Sequence, residues 1–392
     1  MRRSAVVGLM LWMVCAPLLA ATDEAEKYIT AVESAQSPDR GGYDSRTLAQ
    51  IMELARVPGA SVAVIKDFKI HWAKGYGVAD VESGAKVDTE TLFQAASISK
   101  PVTAMAMLKQ VQDGKFTLED DINKILRSWK LDGGEFTKAQ AVTPRLLASH
   151  TSGLGDGFGF PGYDPGAPLP SVLQILNGEK PSNVGRVFME RPPLQAHKYS
   201  GGGYTVLQLA LTDTLRRPFP DILRDAVLGP IGMTRSFFEQ PLSPDHDKNA
   251  ARAHGGDGKG MGAKWHVYPE LAAAGLWTTP TDLARFAIEV QRSTYGGSNR
   301  VLSPALTREM SSPVGVGDYG VGFSLGKRGE GWYFQHGGSN WGFLCYFLAH
   351  KTKGYGLVVM TNSDRGGPVL NEIRERVERA YGWDTLDKPV LR

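Results

Sequence analysis

Residues 94–100 read QAASISK, and they run into PVTAMAMLKQVQDGK, an apolar stretch that ends in charge and glycine. Ser97 and Lys100 stand three residues apart at the head of that stretch. Pro101 falls in a first helical turn, where its missing N–H costs nothing. Residues 104–108 (AMAML) are apolar in succession, which predicts a helix buried on all sides. Three-residue spacing puts the Ser97 hydroxyl and the Lys100 amine on one helix face. A desolvated lysine favours its neutral form. A neutral amine beside a hydroxyl can take its proton, which is how a serine becomes a nucleophile. Backbone N–H groups at the helix start would face the negative charge that develops. The same two residues also suit an N-cap serine beside a snorkelling lysine, so the pair does not decide the matter alone.

Context separates this pair from its rivals. S-x-x-K also occurs at Ser83–Lys86, in a polar turn, and at Ser324–Lys327, which runs into the glycine-rich KRGEG. Gly322-Phe-Ser324-Leu-Gly326 matches G-x-S-x-G, but that elbow requires a helix after the serine, and a charged glycine-rich turn follows here. Two G-x-G-x-x-G matches, from Gly157 and Gly315, do not join a strand to a helix start. The eight histidines show no H-E-x-x-H or other tight ligand spacing, so neither metal nor cofactor is expected.

The elements that must position the pair come from both chain ends. Residues 60–79 read as two strands joined at Lys66-Asp67. Segments 331–335, 341–350 and 354–362 read as three more, the last two joined by the turn Lys351–Gly354. Val369, Ile373, Val377 and Tyr381 recur every four residues, so the final segment is an amphipathic helix able to lie on the sheet. Helices are expected over 101–113, 144–149, 204–215, 219–228 and 280–292. The predicted fold class is α+β, an α/β sandwich. An antiparallel sheet from about 45–95 and 315–385 is flanked by helices, with a mostly helical region at about 100–300 inserted. A cleft is expected where the two regions meet. The loop 153–170, GLGDGFGFPGYDPGAPLP, is long enough to suggest a functional role.

At the N-terminus, Met1-Arg2-Arg3 precedes an apolar run shorter than the ~20 residues of a membrane span, and small residues follow at Ala20 and Ala21. Residues 1–21 are read as a secretory signal peptide and 22–392 as a single domain, periplasmic or secreted, with no membrane anchor. Losing Arg2 and Arg3 from the 44 basic residues leaves 42 against 41 acidic, a balance that steers the chain to neither nucleic acid nor an anionic surface. Cys345 then stands alone, and FLCYFL reads as a strand in which it is a small buried hydrophobe.

Several stretches together resemble the serine β-lactamase and penicillin-binding-protein family, especially its class C-like esterase and peptidase branch. They are SISK (97–100), LLASHTSGL (146–154), KYSGGGY (198–204), AAAGLWTTPTDLARF (272–286), YGVGF (319–323) and QHGGSNWGF (335–343). The resemblance runs from about residue 45 to 381. It implies that Ser97 is acylated, that Lys100 and Tyr199 carry protons, and that the N–H groups of Ser97 and Ser339 form an oxyanion hole. Gly201, His336, Gly337 and Gly338 are implied to contact substrate. Two departures stand out. Gly201 replaces the family's asparagine, and His336 replaces a lysine that draws in carboxylates. With an ordinary pKa of ~6.5, His336 would gain charge only below about pH 6, giving a weak acid response toward carboxylate substrates. The implied function is an exported serine hydrolase acting through an acyl-enzyme on a small ester, amide or peptide. A true β-lactamase, a D-stereospecific peptidase and a penicillin-binding sensor with little turnover are the alternatives.

Overall fold

The computed structural model describes residues 23–155, 159–329 and 331–383. The expected signal peptide, residues 1–21, and positions 156–158 of the glycine-rich loop lie outside the described residues. The strands are β1 Gly59–Lys66, β2 Lys69–Gly77, β3 Phe93–Gln94, β4 Trp277–Thr278, β5 Ser324–Arg328, β6 Gly331–Asn340, β7 Phe343–His350 and β8 Gly356–Thr361. Six of them form an antiparallel sheet in the order β2-β1-β8-β7-β6-β5, while β3 and β4 pair separately.

The sheet is covered on both faces, and alternation along each strand assigns side chains to them. On β1, Ala63 and Ile65 join the core shared with the helical region. Ala60, Val62 and Val64 join a second core with the helices Asp23–Glu33, Leu48–Ala55 and Gly367–Tyr381. Val369, Ile373 and Val377 of the last helix are fully buried there, as their spacing requires. The helix Ser99–Gln112 runs through the other core, and residues 104–108 are at most 1% exposed.

Two boundaries differ from the sequence reading. Ser324–Arg328 is an edge strand, not a turn. Strand β6 continues past Gln335 to Asn340, with Trp341 and Gly342 forming the turn to β7. The second difference creates the cleft. Strand β5 ends at the pair Ser324↔Gln335, so residues 336–340 of β6 have β7 on one side only. Their other edge faces the head of the helix Ser99–Gln112.

Candidate active site

The turn that carries Ser97 is held from three sides. The Ala95 N–H donates to the Leu276 carbonyl at 2.8 Å, and the Cys345 thiol on β7 donates to the Ala95 carbonyl at 3.0 Å. The Ser99 hydroxyl donates to Ala96 O at 2.6 Å and accepts the Leu276 N–H at 3.0 Å. Ala96 is consequently fixed at φ 48°, a left-handed conformation that costs a non-glycine residue energy and persists where the surroundings over-determine it. From residue 91 to residue 108 every side chain is buried except Ser97. The chain opens to solvent only at the hydroxyl.

Lys100 lies beneath the hydroxyl and is 1% exposed. Its Nζ sits 3.0 Å from Ser97 Oγ and donates to Ala273 O at 2.8 Å. It also lies 4.9 Å from the centre of the Tyr199 ring and 5.7 Å from that of Tyr204. The short helix Leu271–Ala274 that supplies the Ala273 carbonyl is braced by Gln208, which accepts the Ala272 N–H at 3.0 Å and donates to Pro269 O at 3.2 Å.

Tyr199 directly precedes Ser200, the N-cap of the helix Gly201–Leu215. Its hydroxyl hydrogen-bonds Ser97, and burial pushes its phenol up, so it stays protonated. The imidazole of His150 backs the tyrosine, with ring centres 4.2 Å apart, and His150 Nδ1 accepts the Ser200 N–H at 3.1 Å. Burial, then the Lys100 charge, hold His150 well below the usual histidine range. Its role as acceptor requires that neutral form.

Strand β6 forms the facing wall. A Cβ on Gly338 would lie 2.3 Å from Ala95 O, so only glycine lets the strand come this near the serine turn. Asn340 locks the approach by donating to Gln94 Oε1 at 2.8 Å and Ala274 O at 3.1 Å.

His336 lines the cleft but does not do what its family position implies. Its Nδ1–H donates to Gly337 O at 2.6 Å, which leaves Nε2 to accept the Tyr319 hydroxyl at 2.7 Å. Burial, reinforced by the Lys100 charge, brings its pKa down to about 3. The expected gain of charge below pH 6 is therefore corrected: a buried imidazole with both ring nitrogens partnered stays neutral.

Gly201 requires a second correction. It is buried and absent from the cleft lining. A Cβ there would fall 2.7 Å from Cε2 of Phe160, so the ring of Phe160, not residue 201, presents a surface to the cleft.

The cleft has a volume of about 970 Å³, and Ser97, Tyr199, His336, Gly337, Gly338 and Ser339 all border it. The structure thus brings every expected site residue but Gly201 to the cleft or, for Lys100, directly beneath it. Sequence reasoning missed Phe160, Trp341, Tyr319 and the bracing residues Gln94, Asn340 and His150. Gln94, His150, Tyr319, Asn340 and Trp341 lie inside the quoted motifs, while Phe160 sits in a loop without periodicity. Among the described residues no cluster of three or more histidine, cysteine or acidic side chains could hold a metal ion.

The Beta-lactamase family profile matches residues 45–381. This chain belongs to the beta-lactamase family. Members of that family are typically serine hydrolases. Protein flp of Staphylococcus aureus (strain N315) is 22% identical over 324 residues, covering 79% of this chain and 61% of its own length. The chain therefore spans about three-fifths of that relative. SurE has the same fold, with a TM-score of 0.70 at 21% identity over 94% of this chain and 79% of its own. The octameric penicillin-binding protein homologue from Pyrococcus abyssi gives a TM-score of 0.67 at 22% identity, covering 86% and 76% respectively.

Proposed function

We propose that this beta-lactamase family member is an exported serine esterase that works through an acyl-enzyme on Ser97. The observation that carries the reading is the position of Ser97 Oγ, held between Lys100 Nζ and the Tyr199 hydroxyl at the one exposed point of a buried turn. The attack requires Lys100 in its neutral form, its ammonium proton first released to solvent; as Oγ attacks the carbonyl carbon, its proton passes to that amine. The oxyanion that forms is met by the backbone N–H groups of Ser97 and Ser339, a device worth about 3–4 kcal/mol per donor. The bond to the leaving group breaks as Tyr199, which burial keeps protonated, gives up its proton and recovers one from Lys100. Water then attacks the acyl-serine by the same route in reverse and releases the acid.

Esters are favoured over β-lactams and peptides for two reasons. His336 is neutral, so it offers no fixed cation to a substrate carboxylate. Gly201 has no side chain to grip a substrate amide, and Phe160 covers it. The basic, apolar and small-residue sequence of residues 1–21 supports export.

Short-chain p-nitrophenyl esters, D-amino-acid p-nitroanilides and nitrocefin, assayed side by side, test the reading. Ester turnover well above the other two supports it. Dominant nitrocefin hydrolysis, or a stable mass adduct with penicillin and no ester turnover, would replace it with the lactamase or the sensor.

A further inference from the structure

We propose that the cleft beyond Asn340 is an acyl-side subsite for a neutral aromatic or branched apolar group, bounded by the rings of Phe160 and Trp341. The proposal rests on Ser97 being the acylated residue, and it adds which acyl groups that residue receives.

Strand β6 gives the cleft a direction. Gly338 packs on the serine turn, so Ser97 divides the cleft into two ends. One end holds His336, Tyr319 and His197, and Tyr199 lies on that side, its ring centre 6.2 Å from that of His336. The group that protonates the departing oxygen faces this end, so the leaving group lies here. The acyl arm is directed the other way, along Asn340 to Trp341, Phe160, Pro161 and Ala274.

Both rings at that end are held in place before any ligand arrives. Trp341 stacks on His266 with ring centres 3.9 Å apart and planes within 4°, and its backbone N–H donates to the Tyr268 hydroxyl at 2.9 Å. His266 ties this side to the opposite wall, because its Nδ1–H donates to Pro161 O at 2.9 Å. Phe160 rests over Gly201, and the chain after it is pinned. Asn183 donates to Gly162 O at 2.8 Å, and Tyr163 exchanges two backbone hydrogen bonds with Val267 at 2.9 and 2.8 Å. Fixed rings pair with a guest ring without an ordering cost. The charged group bordering this end is the Asp364 carboxylate, which accepts the Gly342 N–H at 2.7 Å. An acyl arm ending in a carboxylate would meet like charge there.

The test compares kcat/KM for p-nitrophenyl acetate and p-nitrophenyl phenylacetate in the wild type, Phe160→Leu and Trp341→Ala. The wild type should favour the phenylacetyl ester by roughly tenfold after correction for intrinsic reactivity. Each variant should lower that ratio at least about threefold. Since a variant could misfold, the wild type alone supplies a second reading. 2-Phenylacetamide should compete with p-nitrophenyl acetate at concentrations where acetamide does not. A wild-type ratio near one, a ratio unchanged in both variants, or equal competition by the two amides overturns the subsite. Failure of the underlying reading shows differently, as p-nitrophenol release from both esters that survives Ser97→Ala.

Discussion

Gly338 and Ala95 approach so closely that a Cβ on the glycine would lie 2.3 Å from the alanine carbonyl oxygen and 2.5 Å from Cys345 Sγ. That contact sets the distance between the serine turn and the strand segment carrying Ser339, the proposed second oxyanion donor. Gly338→Ala must push β6 outward, and a misplacement of about 1 Å can lower turnover by ~10²-fold. Overpacking of this kind also costs about 1–3 kcal/mol. Ester kcat measured alongside urea denaturation checks both effects, and a folded variant with wild-type kcat would contradict the geometry.

Phe160 and Gly201 form a second close pair. Alanine for glycine in a helix ordinarily gains about 0.5–1 kcal/mol. At 201 the added methyl meets a ring edge at 2.7 Å, so Gly201→Ala should instead destabilise by about 1–3 kcal/mol. In a Phe160→Ala background the same change should regain its ordinary stabilising sign. Denaturation midpoints of the four proteins in this cycle decide the point, and additive effects would refute the pairing.

The buried imidazole of His336 makes a pH prediction. Its folded pKa of about 3 lies below the ordinary 6.5 of the unfolded chain, so between those values only the unfolded state takes up the proton. Stability should therefore fall as pH drops from 6.5 toward 3, by on the order of 1.4 kcal/mol per unit for this group. His150 adds to the same slope. His336→Gln keeps a neutral partner for Tyr319 and should flatten part of the slope. By NMR the His336 imidazole should show no titration between pH 8 and 5; a midpoint near 6.5 would restore a cationic role.

Glu270 makes the opposite prediction. It caps the short helix whose Ala273 carbonyl holds Lys100, it is fully buried, and neither carboxyl oxygen meets a partner on another residue. Burial raises its pKa to about 7. The folded state holds its proton where the unfolded chain, with an ordinary value of 4.5, has lost it. The stability this gives is full below pH 4.5 and declines as pH rises to 7, by on the order of 3 kcal/mol. Glu270→Gln removes the titrating group, so its melting temperature relative to wild type should be higher at pH 8 than at pH 5. An equal difference at both pH values would show that the carboxyl stays charged or paired.

How much of this could be read from sequence depends on whether the signal was local. The Ser97–Lys100 pair was visible because helical spacing alone puts two residues three apart on one face. Val369, Ile373 and Val377 announced their core face in the same way. Tyr199 was found only through the resemblance, since its ring reaches Ser97 from the segment that leads into a different helix. The neutrality of His336 was not visible, because it comes from burial in the folded wall and from Tyr319, seventeen residues away. Strand β5 was missed because SLGKR is a short edge strand with one buried residue, Leu325, and so lacks the alternation that marks a half-buried strand. Phe160 lay in a glycine- and proline-rich loop where no periodic signal exists.

The central claim is that Ser97 becomes acylated, and the most direct measurement is a single one. Wild type and Ser97→Ala are mixed with p-nitrophenyl acetate, quenched in acid within milliseconds to seconds, and weighed by intact-mass spectrometry while p-nitrophenol release is followed. The wild type should gain one acetyl group, mapped to the peptide containing residues 94–100. Ser97→Ala should gain none and lose at least about 10³-fold in turnover while melting at the wild-type temperature. Undiminished turnover in a folded Ser97→Ala protein, or an acetyl group mapped to another residue, would contradict the account.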